Sequence, residues 1–285
     1  LPEKPFKAEE VNPLPHLKLD SPDVRQETAG YYNCVNRLDT GVGELMEILE
    51  KRGKRDNTVV IFAGDHGPPF TRAKTTCYDI GMRIPFIING PGFIKRGQVR
   101  DEMVSTVDLL PTILDIIGRR QMENLPGRSL VPLLKGGDTP WREYLFGEYN
   151  SHTQIHWFPR RSVRTQRYHL IENLLPGRTN PILGVDGCSA WKESRKEALE
   201  GTEVREAYDR CKKPPRYELY DVQNDPYEFK NLAGRPEYRG IEKRLIQQLN
   251  AWRESTNDPL MDPEVLKAYT RLHDEARKLD SRKLP

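Results

Sequence analysis

The stretch Thr58 to Gly92, TVVIFAGDHGPPFTRAKTTCYDIGMRIPFIINGPG, sets two apolar runs around a polar turn. Thr58 to Ala63 is apolar and β-branched, of strand length and without clean alternation, which predicts a strand buried on both faces. The run stops at Gly64-Asp65-His66-Gly67. An acid and an imidazole between glycines, at the carboxyl end of a buried strand, stand where open α/β sheets receive ligands and metals. The glycines permit a sharp turn and the close approach of a ligand. Lys74 follows, then a second strand, Ile84 to Ile88, closed by the turn Asn89-Gly90-Pro91-Gly92. Acid, imidazole and cation near one strand end suit a metal with an anionic substrate. In isolation the same Asp65-His66-Gly67 also reads as a turn with Asp65 capping backbone amides, and Lys74 as a solvated surface charge.

Upstream of this stretch, Leu1 to Asp20 is rich in Pro and charge and reads as an irregular lead-in. Ser21-Pro22-Asp23 is a helix start, with Ser as N-cap and Pro at the first position. Val24, Tyr31, Val35, Leu38, Val42, Leu45 and Leu49 then make one apolar stripe, predicting a long helix that covers a sheet face and ends at Gly53. Tyr31, Tyr32 and Cys34 are expected as core groups on this helix.

Downstream, Ser105 and Asp108 form a capping box with Asp in place of Glu, ahead of a helix from Val107 to Ile117. Gly136-Gly137-Asp138 breaks the chain, and the domain boundary is drawn there, giving 1–138 and 139–285. Beyond it, Tyr144 to Gly147, Arg161 to Arg164, Tyr168 to Ile171 and Tyr217 to Val222 predict a small antiparallel sheet. Arg239 to Arg253 predicts an amphipathic helix packed on that sheet, and Val265 to Leu279 a last surface helix. Leu174 to Pro215 reads as a charged insertion with a helix near Trp191 to Leu199. The fold class is therefore α/β: part of a large mixed sheet flanked by helices, followed by a smaller antiparallel sheet with a packed C-terminal helix.

Charge is dense but balanced, 45 basic against 42 acidic residues, so no nucleic-acid footprint is present. No apolar run is long enough to span a membrane. No leader is read, and Leu1 in place of Met implies a start removed or located elsewhere. The four cysteines lack the spacing of a zinc site; Cys188 and Cys211 could staple the insertion if the protein is exported.

IFAGDHG, followed by a basic residue and RIPFIINGPG, resembles the type I sulfatases of the alkaline phosphatase superfamily. In the same order come Val104 to Asp115 (VSTVDLLPTILD), Gly127-Arg128-Ser129-Leu130, Glu218-Leu219-Tyr220-Asp221, Asp225-Pro226 and Asn231-Leu232-Ala233. Trp252 and Thr256-Asn257-Asp258-Pro259 make the chain similar to the heparan N-sulfatase (sulfamidase) branch. The resemblance covers nearly the whole chain but only the second half of such an enzyme. It implies hydrolysis of a sulfate ester or N-sulfate on a glycan, with Asp65 and His66 as metal ligands and Lys74 touching the sulfate. Ligand type alone would rank Mn or Zn above Ca; the resemblance implies Ca2+, with Mn2+ or Mg2+ as the lesser choice. It further implies export to periplasm, lysosome or medium.

The chain departs from the family in lacking the C/S-x-P-S-R motif that yields the formylglycine nucleophile, the paired aspartates of the first strand, and the His and Lys that protonate the leaving group. Those belong to an upstream half, expected in the same gene or as a second chain. In Asn150 to Arg161 (NSHTQIHWFPRR), polar and aromatic groups crowd a loop as a sugar-recognition loop would, with His152 as a substrate contact and Arg160 and Arg161 as partners of a carboxylate or second sulfate. The plainer readings are a satisfied surface histidine and strand-edge charges. Two other functions stay open: a phosphonate or phosphodiester hydrolase on the same scaffold, and a non-catalytic fragment or subunit that needs a partner chain and exposes a large apolar patch.

Overall fold

The computed structural model describes residues 4–153, 155–181 and 188–281. Gln154 of the polar loop and the side chain of Cys188 lie outside them. Cys211, the other half of the expected staple, is a buried free thiol.

The chain forms two compact units that interleave in sequence: 33–64 and 85–145 belong to the first, and 4–32, 65–84 and 146 onward to the second. A single division at 138 would leave 4–32 and 65–84 with the first unit. They join the second because its cores are built from them. Leu17, Leu19, Val24 and Phe70 pack with Ala190 and Tyr208. Cys77 and Tyr78 pack with Ile171, Cys211, Tyr220 and Val222.

In the first unit, β1 (Val60–Ala63) pairs antiparallel with β2 (Phe86–Asn89), Phe62 opposite Ile87. Among the described residues this is a two-stranded pair, and its burial is partial rather than two-faced; Ile87 is 60% exposed. Gly64 N–H donates to Pro85 O at 3.1 Å where the chain leaves and re-enters the pair. The capping box forms as expected, Ser105 N–H donating to Asp108 Oδ2 at 2.8 Å ahead of α3 (Leu109–Ile116). Asp108 is fully buried and also accepts a two-pronged pair from Arg142, 2.6 Å at each oxygen. A short helix, α4 (Val131–Leu134), completes the unit.

Helix α1 (Pro22–Lys51) starts with Ser21 Oγ accepting from Val24 N–H at 3.3 Å, and Gly53 follows it at φ +61°. Its first turns bury Val24, Thr28 and Ala29 in the second unit. The stripe expected to cover a sheet is instead exposed beyond residue 33 at Val35, Leu38 and Leu45 and half-buried at Val42 and Leu49; Cys34 and Ile48 are exposed beside it. Leu110, Ile113 and Ile117 on and after α3 are exposed in the same way.

The second unit is a four-stranded antiparallel sheet in the order β3 (Leu145–Tyr149), β4 (Arg160–Arg164), β5 (Tyr168–Asn173), β6 (Tyr217–Asp221). All four strands match the pattern read from sequence. Around it lie α2 (Asp79–Met82), α5 (Cys188–Glu193), α6 (Glu203–Lys212), α7 (Arg239–Ser255) and α8 (Pro263–Ser281). The sequence reading lacked α6, although Thr202 accepts from Arg205 N–H as its N-cap, and Ala207, Tyr208 and Cys211 form its buried side. Among the described residues no helix is long and apolar enough to cross a membrane.

Register divides the sheet into two working faces. Arg161 lies opposite Glu172, and this face meets the Arg253 end of α7. Arg160, Ser162 and Arg164 lie opposite Asn173, Ile171 and His169, and this face meets segment 65–84: Arg164 pairs with Asp79 at 2.6 Å, and Ser162 Oγ lies 3.8 Å from Met82 Sδ.

Candidate functional site

Asp65 and His66 emerge where β1 ends. Gly67 bonds back to Gly81 O at 2.8 Å, and a Cβ at Gly67 would fall 1.9 Å from Ile80 O, so only glycine allows this turn. Asp65 Oδ1 accepts from His66 N–H at 3.0 Å. His66 Nδ1 lies 2.8 Å from Gly67 O. A carbonyl oxygen only accepts, so Nδ1 carries a proton, and the ring nitrogen left to meet another group is Nε2. That nitrogen is 3.2 Å from Asp65 Oδ2. Two lone pairs at this separation repel unless a proton or a cation lies between them.

Two ligand atoms at right angles on a divalent ion stand roughly 3.0–3.4 Å apart for bond lengths of about 2.1–2.4 Å, so the pair has the bite of two cis ligands. The Nδ1–H to carbonyl bond is also the outer contact that orients a ligating histidine. The Asp65 side chain is 87% exposed, leaving that position open. Among the described residues no group of three or more His, Cys, Asp or Glu is arranged to hold a metal.

Lys74 is half-buried on the same segment, its N–H bonded to Pro68 O at 3.1 Å, the carbonyl that also receives Phe70 N–H at 2.8 Å. This tight winding is anchored by a residue the sequence did not single out. Arg72, at φ +68° and 3% exposed, donates to His16 O, Tyr227 O and Glu228 O at 3.2, 3.0 and 2.9 Å and lies 3.9 Å over the Phe229 ring. Below it, Asp79 N–H donates to Glu228 Oε2 at 2.6 Å and His169 Nδ1 meets Glu228 Oε1 at 2.5 Å. Burial pushes the Glu228 carboxyl up against the pull of His169. Tyr78 and Tyr220 both donate to Glu218, and burial holds both phenols far above their ordinary value. These buried groups fix where segment 65–84 lies on the sheet.

The second candidate loop runs between β3 and β4. Phe158 N–H bonds to Asn150 O at 2.9 Å and closes it. His152 is exposed and stacks on His156, centroids 6.1 Å apart, while His156 Nδ1 lies 2.9 Å from Thr153 Oγ1. Helix α8 pins the loop: Trp157 Nε1–H donates to Thr270 Oγ1 at 3.1 Å, its ring stacks on His273 at 4.7 Å, and Arg277 Nε donates to Ile155 O at 3.2 Å. Tyr149, just before the loop, packs against the core that contains Cys77 and Tyr78. The loop and segment 65–84 thus share one supporting core.

Arg161 does not reach a surface. Its guanidinium is 2% exposed and grips both oxygens of Asp258 at 2.9 Å, so the planar fork expected to meet a substrate carboxylate meets a carboxylate of the fold. Asp258 in turn holds Arg253 at 2.7 Å, and Arg253 holds Glu172 at 2.9 Å. Arg160 is also buried, at 3% exposed, but no carboxylate of the described residues pairs with it.

Residues 4–119 match the model of the family described as Sulfatase, and residues 64–176 match the one described as N-sulphoglucosamine sulphohydrolase, C-terminal. The chain belongs to the sulfatase family. It is 33% identical over 264 residues to human N-sulphoglucosamine sulphohydrolase, covering 86% of this chain and 51% of that one. It is 32% identical over 237 residues to an ulvan-active sulfatase of Formosa agariphila, covering 82% and 45%. Among solved structures it superposes on a protein in complex with its substrate D-glucosamine-2-N,6-O-disulfate with a TM-score of 0.61 and 26% identity, covering 85% and 44%. The chain spans about half the length of the relatives it matches.

Proposed function

We propose that this chain supplies the carboxyl-terminal half of a sulfatase that hydrolyses a sulfate ester or N-sulfate on a glycan. The observation that carries the reading is the Asp65 Oδ2 to His66 Nε2 pair at 3.2 Å with Nδ1 committed to a carbonyl. Asp65 and His66 would provide two ligands of a divalent cation, Ca2+ first and Mn2+ or Mg2+ next. When bound, that cation neutralises charge on the sulfuryl oxygens. Lys74 adds a positive charge on the same segment, where it would bind and orient the sulfate. His152, on the loop held by α8, would bind the sugar. The nucleophile, a formylglycine, and the remaining ligands would come from an upstream segment, and the exported compartment implied by the family goes with this reading.

A second reading, that the chain works only with a companion segment or chain, is favoured by one observation: the apolar residues of α1, β2 and α3 in the first unit are exposed. The two readings are compatible. One experiment separates them from a remnant without function. Peptide mapping of the protein purified from its source should find residues upstream of Leu1 bearing formylglycine, and hydrolysis of N-sulfoglucosamine or an aryl sulfate should be lost on chelation and in Asp65→Asn and His66→Ala. Activity that survives both substitutions would end the metal assignment.

A further inference from the structure

Arg160 is a buried cation to which the described residues give no anion. Its side chain stands on the sheet face that meets segment 65–84, and it is 3% exposed. Its Nε has no hydrogen-bond partner, and among the described residues no carboxylate pairs with it. Its guanidinium carbon lies 5.0 Å from the centroid of the Phe158 ring. The neighbouring Tyr149 hydroxyl is buried, and cross-strand Asn173 leaves Oδ1 unbonded while its amide nitrogen serves Pro215 O and Glu218 Oε1. The other arginines on this sheet are answered: Arg161 by Asp258, Arg164 by Asp79, Arg167 by Asp221.

Keeping a largely buried guanidinium without a paired charge is costly, and an anion bound to it would offset that cost. The surroundings locate that anion. Burial pushes the Cys77 and Cys211 thiols and the Tyr149 phenol up, and the charge of Arg160 opposes that shift in all three, so its charge reaches the segment just past Lys74. Tyr149 and Phe158 are the two ends of the His152 loop. The guanidinium therefore stands at the root of both candidate substrate loops.

We propose that Arg160, with the Tyr149 hydroxyl, receives an oxyanion of the glycan beside the scissile sulfate, either a uronate carboxylate or a second sulfate. As a substrate subsite this rests on the sulfatase reading above; as an anion site it stands on its own. The guanidinium offers a planar fork and the phenol one further donor, the pairing that suits either oxyanion.

The test uses the 285-residue chain, Arg160→Met and Arg160→Lys. Thermal unfolding is followed in sodium chloride, then with added sodium sulfate or sodium glucuronate at matched ionic strength. Non-specific salting-out acts on all three proteins alike, so the readout is the difference between them. The wild-type chain should gain midpoint temperature from one of the anions with an apparent affinity about tenfold tighter than either variant shows. Arg160→Lys retains charge but not the fork and covers the case in which Arg160→Met does not fold. A gain with sulfate assigns a second sulfate, and a gain with glucuronate assigns a uronate. Equal gains in wild type and variants overturn the proposal. Loss of sulfatase activity by the complete enzyme with the anion difference intact would count against the sulfatase reading alone.

Discussion

Arg72 holds the segment that carries Asp65, His66 and Lys74, so its removal gives the most direct measure of how that segment is held. The guanidinium makes three bonds to backbone carbonyls, two of them from 155 and 156 residues away, and stacks on Phe229. At about 1.5 kcal/mol for each charge-assisted bond, with a smaller contribution from stacking, Arg72→Ala should cost about 4–5 kcal/mol. That is a large part of a stability that is typically about 5–15 kcal/mol. Arg72→Lys keeps the charge and one bond and should cost about half as much. The positive φ at position 72 adds an internal control: Arg72→Gly should be about 1 kcal/mol less damaging than Arg72→Ala, since glycine accepts φ +68° without strain. Urea unfolding gives the free energies, and amide exchange across 65–78 reports the segment itself. A loss under about 1 kcal/mol in Arg72→Ala, or an unchanged exchange pattern, would refute the anchoring argument.

Burial, and then the charge of Arg72, hold the His16 imidazole down to about 3 from an ordinary value of 6.5. The folded value lies below the unfolded one, so the stability it contributes is full above pH 6.5 and lost as pH falls from 6.5 through 3. By pH 5 the loss is about 2 kcal/mol, and His16→Asn should flatten the stability profile between pH 7 and 5. Burial would raise the Asp258 carboxyl, yet its bonds from Arg161 and Arg253 bring it down to about 2. Asp258→Asn should cost about 3–5 kcal/mol by leaving two buried guanidinium groups short of charge, seen as a lower denaturant midpoint with unchanged slope. Trp157→Leu removes the stack on His273 and the bond to Thr270. Protease cutting within 150–158 should accelerate while the urea midpoint falls by about 1–2 kcal/mol equivalent; equal cutting rates would show that α8 does not restrain the loop.

Local chemistry was readable ahead of the structure where it is local in sequence. The glycines around Asp65 and His66, the Ser105–Asp108 box, the strands after residue 144 and the α7 and α8 patterns all depend on neighbours within a few residues. The partner of Arg161, Asp258, is 97 residues away, and an arginine at a strand start carries no mark of what it will meet. Arg72 was passed over because a polar residue in a polar turn looks solvated; only the fold brings three carbonyls to it. The α1 stripe shows the opposite limit. Its periodicity predicted the helix correctly, but periodicity says that a face is apolar and not which polypeptide covers it. The spacing of Thr202, Val204, Ala207, Tyr208 and Cys211 did signal α6 and was masked by the charge around it.

The interleaving of the two units determines what a broken chain would do. A protease nick between 145 and 146 separates the sequence where the last crossing occurs. It would release no domain, because the second unit would still be stitched from both pieces: Arg72 on one to Tyr227 and Glu228 on the other, Glu27 to Ser189, and Leu17 O to the Tyr208 hydroxyl. The halves should stay together as a complemented pair and part only on denaturation. A gel under denaturing conditions would then report two fragments where gel filtration reports one particle.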